Sequence, residues 1–457
     1  MNPKKQIVLS CILMILFAGA AEAANVKVDF AKSLGQIKPV HGVGQPPISG
    51  WIGTNMFHYL TEAGCPYARL HDVGGAFGGN RFVDIPNLFR DFDADENDPA
   101  NYDFAFTDIL VNALAGSGVE PFFRLGVTIE NSFAVKAYRI HPPKDSAKWA
   151  RICEHVVRHY TEGWANGFRH KIAYWEIWNE PDGGSMWTGS FDQYMDLYEA
   201  ASKHLKAKFP HLKIGGFASS GLFKLVQAQP RQHDEDTMRW FLDFVKEVRS
   251  RHCPLDFFSF HAYDMPGAPL TYATMRVYAE FARKTLDEAG FTQTELSMNE
   301  WLPRWSQPGS DEQAARVAEI LVSLQDAPID TAMIYDARCG RGLYSPLFDP
   351  RDAKPRKAYW ALVAFNELYR LRNAVAVDTA DGLRACAACN SQDYGAVLIV
   401  NPTAKTVPLR LDMGAGYVRW CCVTDAEHDN DRVRVPEAMP PYSFALVMTQ
   451  GGRCLVK

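Results

Sequence analysis

Short runs rich in β-branched and aromatic residues alternate with stretches of helical periodicity up to about residue 372. Such repetition reads as βα units wound around a parallel sheet. Eight runs fit barrel strands, at 39–44, 67–72, 120–126, 172–180, 212–217, 255–263, 294–301 and 331–338. Helical periodicity falls between them at 106–115, 146–162, 191–208, 237–251, 275–289 and 311–325. Eight strands followed by helices predict a closed (β/α)8 TIM barrel over residues 39–372, whose strand C-termini carry the chemistry.

Two stretches interrupt the rhythm after strand C-termini, 74–102 and 218–236, and are expected to wall a cleft. From residue 373 to 457 helical periodicity gives way to short alternating strands, near 396–400, 406–411, 417–423 and 443–448. This predicts a small antiparallel β-sandwich. A lone strand at 25–30, within the segment 24–38, is expected to join its sheet. The first 23 residues read as a signal peptide: Lys4 and Lys5, an apolar run from Ile7 to Ala20, then Ala21-Glu22-Ala23. Export with cleavage after Ala23 is therefore expected, with no membrane anchor.

The chain has 457 residues, 47% hydrophobic and 22% charged, which suits a large buried core. Its net charge of −5 becomes −6 once the two lysines and one glutamate of the leader are removed. A mildly acidic surface gives no pull toward nucleic acid or anionic lipid. Nine cysteines follow Cys11, an odd number that cannot all pair. Cys386-Ala-Ala-Cys389 has zinc or redox spacing, but no second Cys or His pair stands near it, so both read as small buried strand residues. No phosphate loop, dinucleotide fingerprint, zinc helix motif or Gly-Xaa-Ser-Xaa-Gly elbow occurs in a suitable context. Neither a metal nor another cofactor is expected, and the pattern leaves the oligomeric state open.

The sharpest chemical signal is Tyr174-Trp-Glu-Ile-Trp-Asn-Glu-Pro181. Pro181 disfavours helix at Glu180, which holds that carboxylate extended at the tip of the fourth barrel strand among indoles. Such a group suits a general acid. Leu296-Ser-Met-Asn-Glu-Trp301 ends the seventh strand, and simple alternation puts Leu296, Met298 and Glu300 on one face. Two carboxylates facing one cleft are what glycosidic bond cleavage requires. A separation of about 5–5.5 Å retains anomeric configuration, and about 6.5–9.5 Å inverts it. Glu295 starts its strand and falls at the barrel's far end, and Glu176 lies deep in strand four.

Trp-Asn-Glu-Pro after strand four together with a Glu ending strand seven resembles the large clan A of retaining glycoside hydrolases. Within it the chain is most similar to glycoside hydrolase family 39, on His41-Gly-Val-Gly44, Arg69-Leu-His71, Tyr102-Asp-Phe104, Glu176-Ile-Trp-Asn-Glu-Pro181, Ile214-Gly-Gly216, Phe260-His-Ala-Tyr263 and Lys354-Pro-Arg-Lys-Ala-Tyr359. The resemblance implies a carbohydrate substrate, Glu180 as acid/base and Glu300 as nucleophile. It implies Asn179 on the sugar 2-hydroxyl, Tyr263 holding the nucleophile, and His71 and His261 on glycon hydroxyls, with a satisfied core histidine the other reading of each. Trp301 keeps the aromatic that follows the nucleophile. Alternation sets Asn179 and Glu180 on opposite faces, so their joint use requires a bulge or twist.

Family xylosidases carry a tryptophan and an acidic pair near the end of strand eight, whereas this chain reads Ala332-Met-Ile-Tyr-Asp-Ala-Arg-Cys339. Asp72 stands where they place Gly, and Arg124 where they show an acid. These changes predict a rebuilt glycon subsite in which Asp336 and Arg338 either contact the sugar or form a structural ion pair. The expected activity is retaining hydrolysis of a glycosidic bond, β-xylosidase-like. An endo-acting clan A glycanase and a catalytically silent carbohydrate-binding protein are the alternatives.

Overall fold

The computed structural model describes residues 25–49, 54–71, 83–127, 140–340, 344–452 and 454. The expected leader, residues 1–23, and Asp72 lie outside them.

A first strand, β1 (Val26–Gln36), precedes eight parallel strands that close into a barrel: β2 (Gly42–Gly44), β3 (Tyr67–Leu70), β4 (Glu120–Leu125), β5 (Tyr174–Ile177), β6 (Lys213–Ser219), β7 (Phe257–Tyr263), β8 (Glu295–Leu302) and β9 (Thr331–Tyr335). Each is followed by a helix: α1 (Phe57–Glu62), α2 (Ala105–Gly116), α3 (Ser146–Thr161), α4 (Phe191–Lys208), α5 (Gln232–Ser250), α6 (Tyr272–Glu288), α7 (Asp311–Ser323) and α8 (Lys357–Leu371). The strands are buried on both faces, which is why they read as near-continuous apolar runs.

Local signals start the helices. The Ser190 hydroxyl accepts from the Gln193 amide while the Gln193 side chain accepts from the Ser190 amide, a reciprocal cap on α4. Asp145 and Ser310 cap α3 and α7 in the same way from one side. α5 begins at Gln232, inside the stretch expected to be loop, because Asp234 turns back to the Arg231 amide and guanidinium. The acidic stretch at 91–98 packs on the barrel: the Tyr102 hydroxyl donates to the Glu96 carbonyl, and Glu96 pairs with Arg151 and Lys148.

The second unit is an eight-stranded sheet in the order β13-β1-β10-β11-β12-β16-β14-β15, with β10 (Asn373–Thr379), β11 (Arg384–Cys389), β12 (Tyr394–Asn401), β13 (Leu411–Asp412), β14 (Tyr417–Thr424), β15 (Asp429–Val433) and β16 (Ser443–Gln450). β1 pairs antiparallel with β10. Period-two alternation sorts its faces: Ala396, Leu398 and Val400 join the barrel's core, while Val397 and Ile399 join a separate cluster with Val407, Leu409 and Met439. The ribbon formed by Val407–Pro408 and Ala438–Met439 covers that outer face and completes the sandwich.

Cys386 and Cys389 are both buried strand residues, as expected, but they differ in bonding. Cys389 forms a disulfide with Cys454 across 65 residues, whereas Cys386, on the opposite face of β11, is buried and free.

Candidate active site

Glu180 and Glu300 stand at the C-terminal end of the barrel, on the segments after β5 and at the end of β8. One carboxylate oxygen of each, with one ring nitrogen of His261, lie within 4.8 Å of one another. His261 Nδ1 is 2.7 Å from Glu180 Oε1 and 3.5 Å from Glu300 Oε2. Burial alone would lower the His261 pKa, but the charge of Glu300 and the bond to Glu180 outweigh it, leaving the imidazole above its ordinary value.

Backbone geometry explains how neighbouring residues share this face. Trp178 and Glu180 adopt left-handed φ of 72° and 44°, which breaks the alternation beyond Ile177. Glu180 N is held by the Ala218 carbonyl at 3.0 Å, and Ala218 is itself left-handed at φ 53°. Asp182, buried two residues on, accepts from the Ser219 hydroxyl at 2.8 Å and the Ser220 amide at 3.1 Å, tying this turn to the end of β6. Such strain persists only where the surroundings over-determine it.

In β8 the expected alternation fails. The register against β7 shifts between Met298 and Glu300, so Asn299 is the extra residue of a bulge. Asn299 Nδ2 consequently donates to Glu176 Oε1, while Glu300 meets Arg69. Trp301, expected at the substrate, is wholly buried in the hydrophobic cluster instead. It pairs in register with Ala262, out of step with His261 and Tyr263, whose side chains face the carboxylates.

Arg69, which the sequence left without a role, organises the centre. Its Nη1 donates to Glu300 Oε1 at 2.7 Å, its Nε to Glu176 Oε2 at 2.7 Å and its Nη2 to Asn179 Oδ1 at 2.6 Å. Engaging Oδ1 fixes the Asn179 amide and leaves its NH2 as a donor. Glu176 is fully buried and further satisfied by Ser259 at 2.6 Å, so it neutralises Arg69. The Tyr263 hydroxyl donates to Glu300 Oε2 at 2.6 Å; burial and then the charge of Glu300 push its pKa well above the ordinary value, so it remains a donor.

His71 is buried, with Nε2 at 4.0 Å from Glu300 Oε1. Arg124 Nε donates to His71 Nδ1 at 3.2 Å, and Arg124 in turn pairs with Asp84 at 2.7 Å. Burial, then the charges of Arg69 and Arg124, hold the imidazole well below its ordinary pKa. A neutral ring accepting at Nδ1 carries its proton on Nε2, toward Glu300. Asp336 and Arg338 form a buried ion pair at 2.6 Å, whose Arg338 also donates to the Tyr335 hydroxyl at 3.1 Å. Glu295 sits at the far end of the barrel, bonded to Lys213 and Tyr174 at the starts of their strands.

Glu180, His261 and Glu300 also have the spacing of a three-ligand metal set. Their atoms are already committed: Nδ1 to Glu180, and both oxygens of Glu300 to N–H and O–H donors. With those bonds in place, the three side chains form a hydrogen-bonded carboxylate pair rather than a cation cage.

The chain is similar to known proteins in sequence and in fold. The chain is 29% identical to a β-xylosidase of Geobacillus stearothermophilus over 195 residues, 41% of this chain and 35% of that protein. It is 26% identical to a β-xylosidase of Caldicellulosiruptor saccharolyticus over 248 residues, 50% of this chain and 44% of that one. The matched stretch thus spans less than half the length of these curated relatives. In fold it is similar to a glucosidase from Croceicoccus marinus (TM-score 0.73, 21% identity, covering 94% of this chain and 99% of that chain). It is also similar to a monomeric β-xylosidase from Caulobacter crescentus (TM-score 0.69, 15% identity, covering 94% and 99%). The model of "Glycosyl hydrolases family 39" matches residues 81–337, more than half of the chain, and the chain belongs to that family.

Proposed function

We propose that the protein is a retaining O-glycosyl hydrolase that cleaves a β-glycoside by double displacement. The observation that carries this reading is the approach of the Glu180 and Glu300 carboxylates, with oxygens within 4.8 Å. So close an approach of one oxygen of each group favours the retaining arrangement, at about 5–5.5 Å between carboxyl groups, over the inverting one at about 6.5–9.5 Å.

Glu300 attacks the anomeric carbon while Glu180 protonates the departing oxygen, and Glu180 then takes a proton from the water that releases the sugar. Arg69 and Tyr263 bond the two oxygens of Glu300 and fix its attacking geometry. His261, beside both carboxylates, steadies Glu180 as its charge changes. Asn179, oriented by Arg69, is placed for the sugar 2-hydroxyl, and the His71 Nε2 proton for another hydroxyl of the same ring.

The sugar is a pyranoside of the xylose or glucose kind, held in a glycon subsite that differs from the xylosidase pattern. The Asp336–Arg338 pair and Arg124, held by Asp84, support this, since Arg124 and the stretch 332–339 are where the sequence departs from the xylosidase pattern. Action outside the cytoplasm is part of the reading, and the Cys389–Cys454 disulfide favours an oxidising compartment. Fractionation of the native host tests that placement: recovery only with cytoplasmic protein contradicts it.

For the chemistry, the protein is incubated with 2,4-dinitrophenyl 2-deoxy-2-fluoro-β-D-xylopyranoside and its gluco counterpart, then digested and weighed. A glycosyl adduct on the peptide carrying Glu300 is the expected result. An adduct on another carboxylate, or rapid turnover of ordinary aryl glycosides by a Glu300→Ala variant, refutes the assignment.

A further inference from the structure

Two of the most exposed aromatic side chains among the described residues lie at the C-terminal end of the barrel, beside the carboxylate pair. Trp305, 45% exposed, follows Glu300 by five residues, and Tyr344, 41% exposed, follows the end of β9. Their rings meet edge-on, with centroids 6.1 Å apart at 85°.

They continue a line of aromatic rings that starts at the nucleophile. Tyr263, bonded to Glu300 through its hydroxyl, has its ring 6.5 Å from Tyr344 at 32° and 6.2 Å from Tyr335. Tyr335 lies 5.7 Å from Tyr344. The charges also reach this far: after burial, those of Glu300, Asp336 and Glu180 push the Tyr344 hydroxyl up. Tyr344 therefore borders the same space as the two carboxylates.

The indole is mounted rather than loose. Trp305 Nε1 donates to the Asp264 carbonyl at 3.4 Å. The Asp264 carboxylate accepts from the Arg304 amide at 2.6 Å and the Leu270 amide at 2.7 Å, binding the segment after β7 to the segment after β8. Arg304 is anchored in turn by Glu312 at 3.1 Å. A large aromatic left half in water forgoes burial, and two such rings in mutual contact, one of them fixed in pose, beside a carboxylate-lined cleft suit a ligand that covers them. The face of a pyranose ring, where C–H groups project, is the apolar partner continuous with a glycosidase cleft, and the hydroxyls at its edge stay in water.

Building on the retaining glycosidase reading, we propose that Trp305 and Tyr344 form a stacking platform for a second sugar ring, adjoining the ring whose bond is cut. The substrate class is then an oligosaccharide of two or more rings, not a glycoside recognised through a single ring.

Binding to the full-length Glu300→Gln protein is measured by calorimetry with xylose, xylobiose, glucose and cellobiose, with and without Trp305→Ala and Tyr344→Ala together. The disaccharide is expected to bind at least tenfold tighter than its monosaccharide, and the double substitution to collapse that preference to within about twofold. Quenching of indole fluorescence by the disaccharide, lost in Trp305→Ala alone, reports contact even if the double variant is poorly folded. A preference that survives both substitutions overturns the platform while leaving the glycosidase reading intact. So does a platform that instead joins two copies, seen as a dimer in sedimentation that Trp305→Ala makes monomeric. A protein that neither binds nor cleaves any of these sugars refutes the glycosidase reading, and the platform with it.

Discussion

The Arg69 guanidinium donates to Glu300 Oε1 at 2.7 Å from a position with no solvent exposure, so the orientation of this carboxylate is set from beneath by a buried cation. Because Glu176 balances Arg69 on its other edge, the centre is a buried network and not an isolated pair. Removing one member leaves a charge unpaired in low dielectric, at a cost of about 3–5 kcal/mol.

Arg69→Met should therefore lower both stability and turnover. Thermal unfolding is expected to show a loss of about 3 kcal/mol or more, and kcat to fall by roughly 10²-fold or more as Glu300 and Asn179 lose their common donor. Wild-type turnover in a folded Arg69→Met variant contradicts the role.

Glu180→Ala tests the acid separately. Aryl glycosides with good leaving groups should keep a fast first step, and those with poor leaving groups should lose about 10²–10⁴-fold. Added azide should raise turnover of the good ones by replacing the base-assisted water. Equal losses across leaving groups would remove Glu180 from proton transfer.

Tyr263→Phe deletes one donor to Glu300 without changing ring packing. Turnover should fall by roughly 10–10²-fold with little change in melting temperature, since only one oxygen of Glu300 loses a bond. A large stability loss with unchanged turnover per folded molecule contradicts the assignment.

Burial and then the charge of Glu180 push the Asp182 carboxyl up to about 7. An unfolded aspartate releases its proton near ~3.9, so between these values the folded chain holds a proton the unfolded chain has lost. Stability contributed by this group is complete below about pH 4 and is lost as pH rises through about 7. In Asp182→Asn that decline disappears. The difference in unfolding free energy between variant and wild type should shift in the variant's favour from pH 4 to pH 7, by on the order of 4 kcal/mol. Parallel stability curves contradict the shifted titration.

The Cys389–Cys454 bridge closes a separation of 65 residues around the sandwich, remote from the carboxylates. Cys454→Ser should lower stability by about 2–4 kcal/mol on loop-closure grounds and leave kcat unchanged. A fall in kcat at temperatures where the variant is folded would argue that the sandwich shapes the cleft.

Much of this was legible because it is written in local patterns. Six of the eight barrel strands lie within the runs of apolar residues that announce them, β6 and β8 overrun theirs by two residues and one, and Glu180 and Glu300 stand at the ends of two of those runs. What stayed hidden depends on partners distant in sequence. Arg69 reads as a charge inside a strand until β3 is set beside β5 and β8, whose Glu176 and Glu300 accept from it. The bulge at Asn299 is one residue's slip against β7, invisible to a period of two, and it is what sends Trp301 into the core. The left-handed turns at Trp178 and Glu180 likewise depend on the two neighbouring strands, whose Leu125 and Ala218 carbonyls accept from their amides. Cys389 looked like its neighbour Cys386, because only alternation across β11 and the return of the C-terminus separate them.

The stereochemistry of the first-formed product tests the central claim most directly. With any β-glycoside the protein cleaves, proton NMR in the first minutes of reaction should show the β-anomer of the released sugar accumulating before mutarotation. First appearance of the α-anomer would mean inversion, and would contradict a nucleophilic Glu300 acting within 4.8 Å of Glu180.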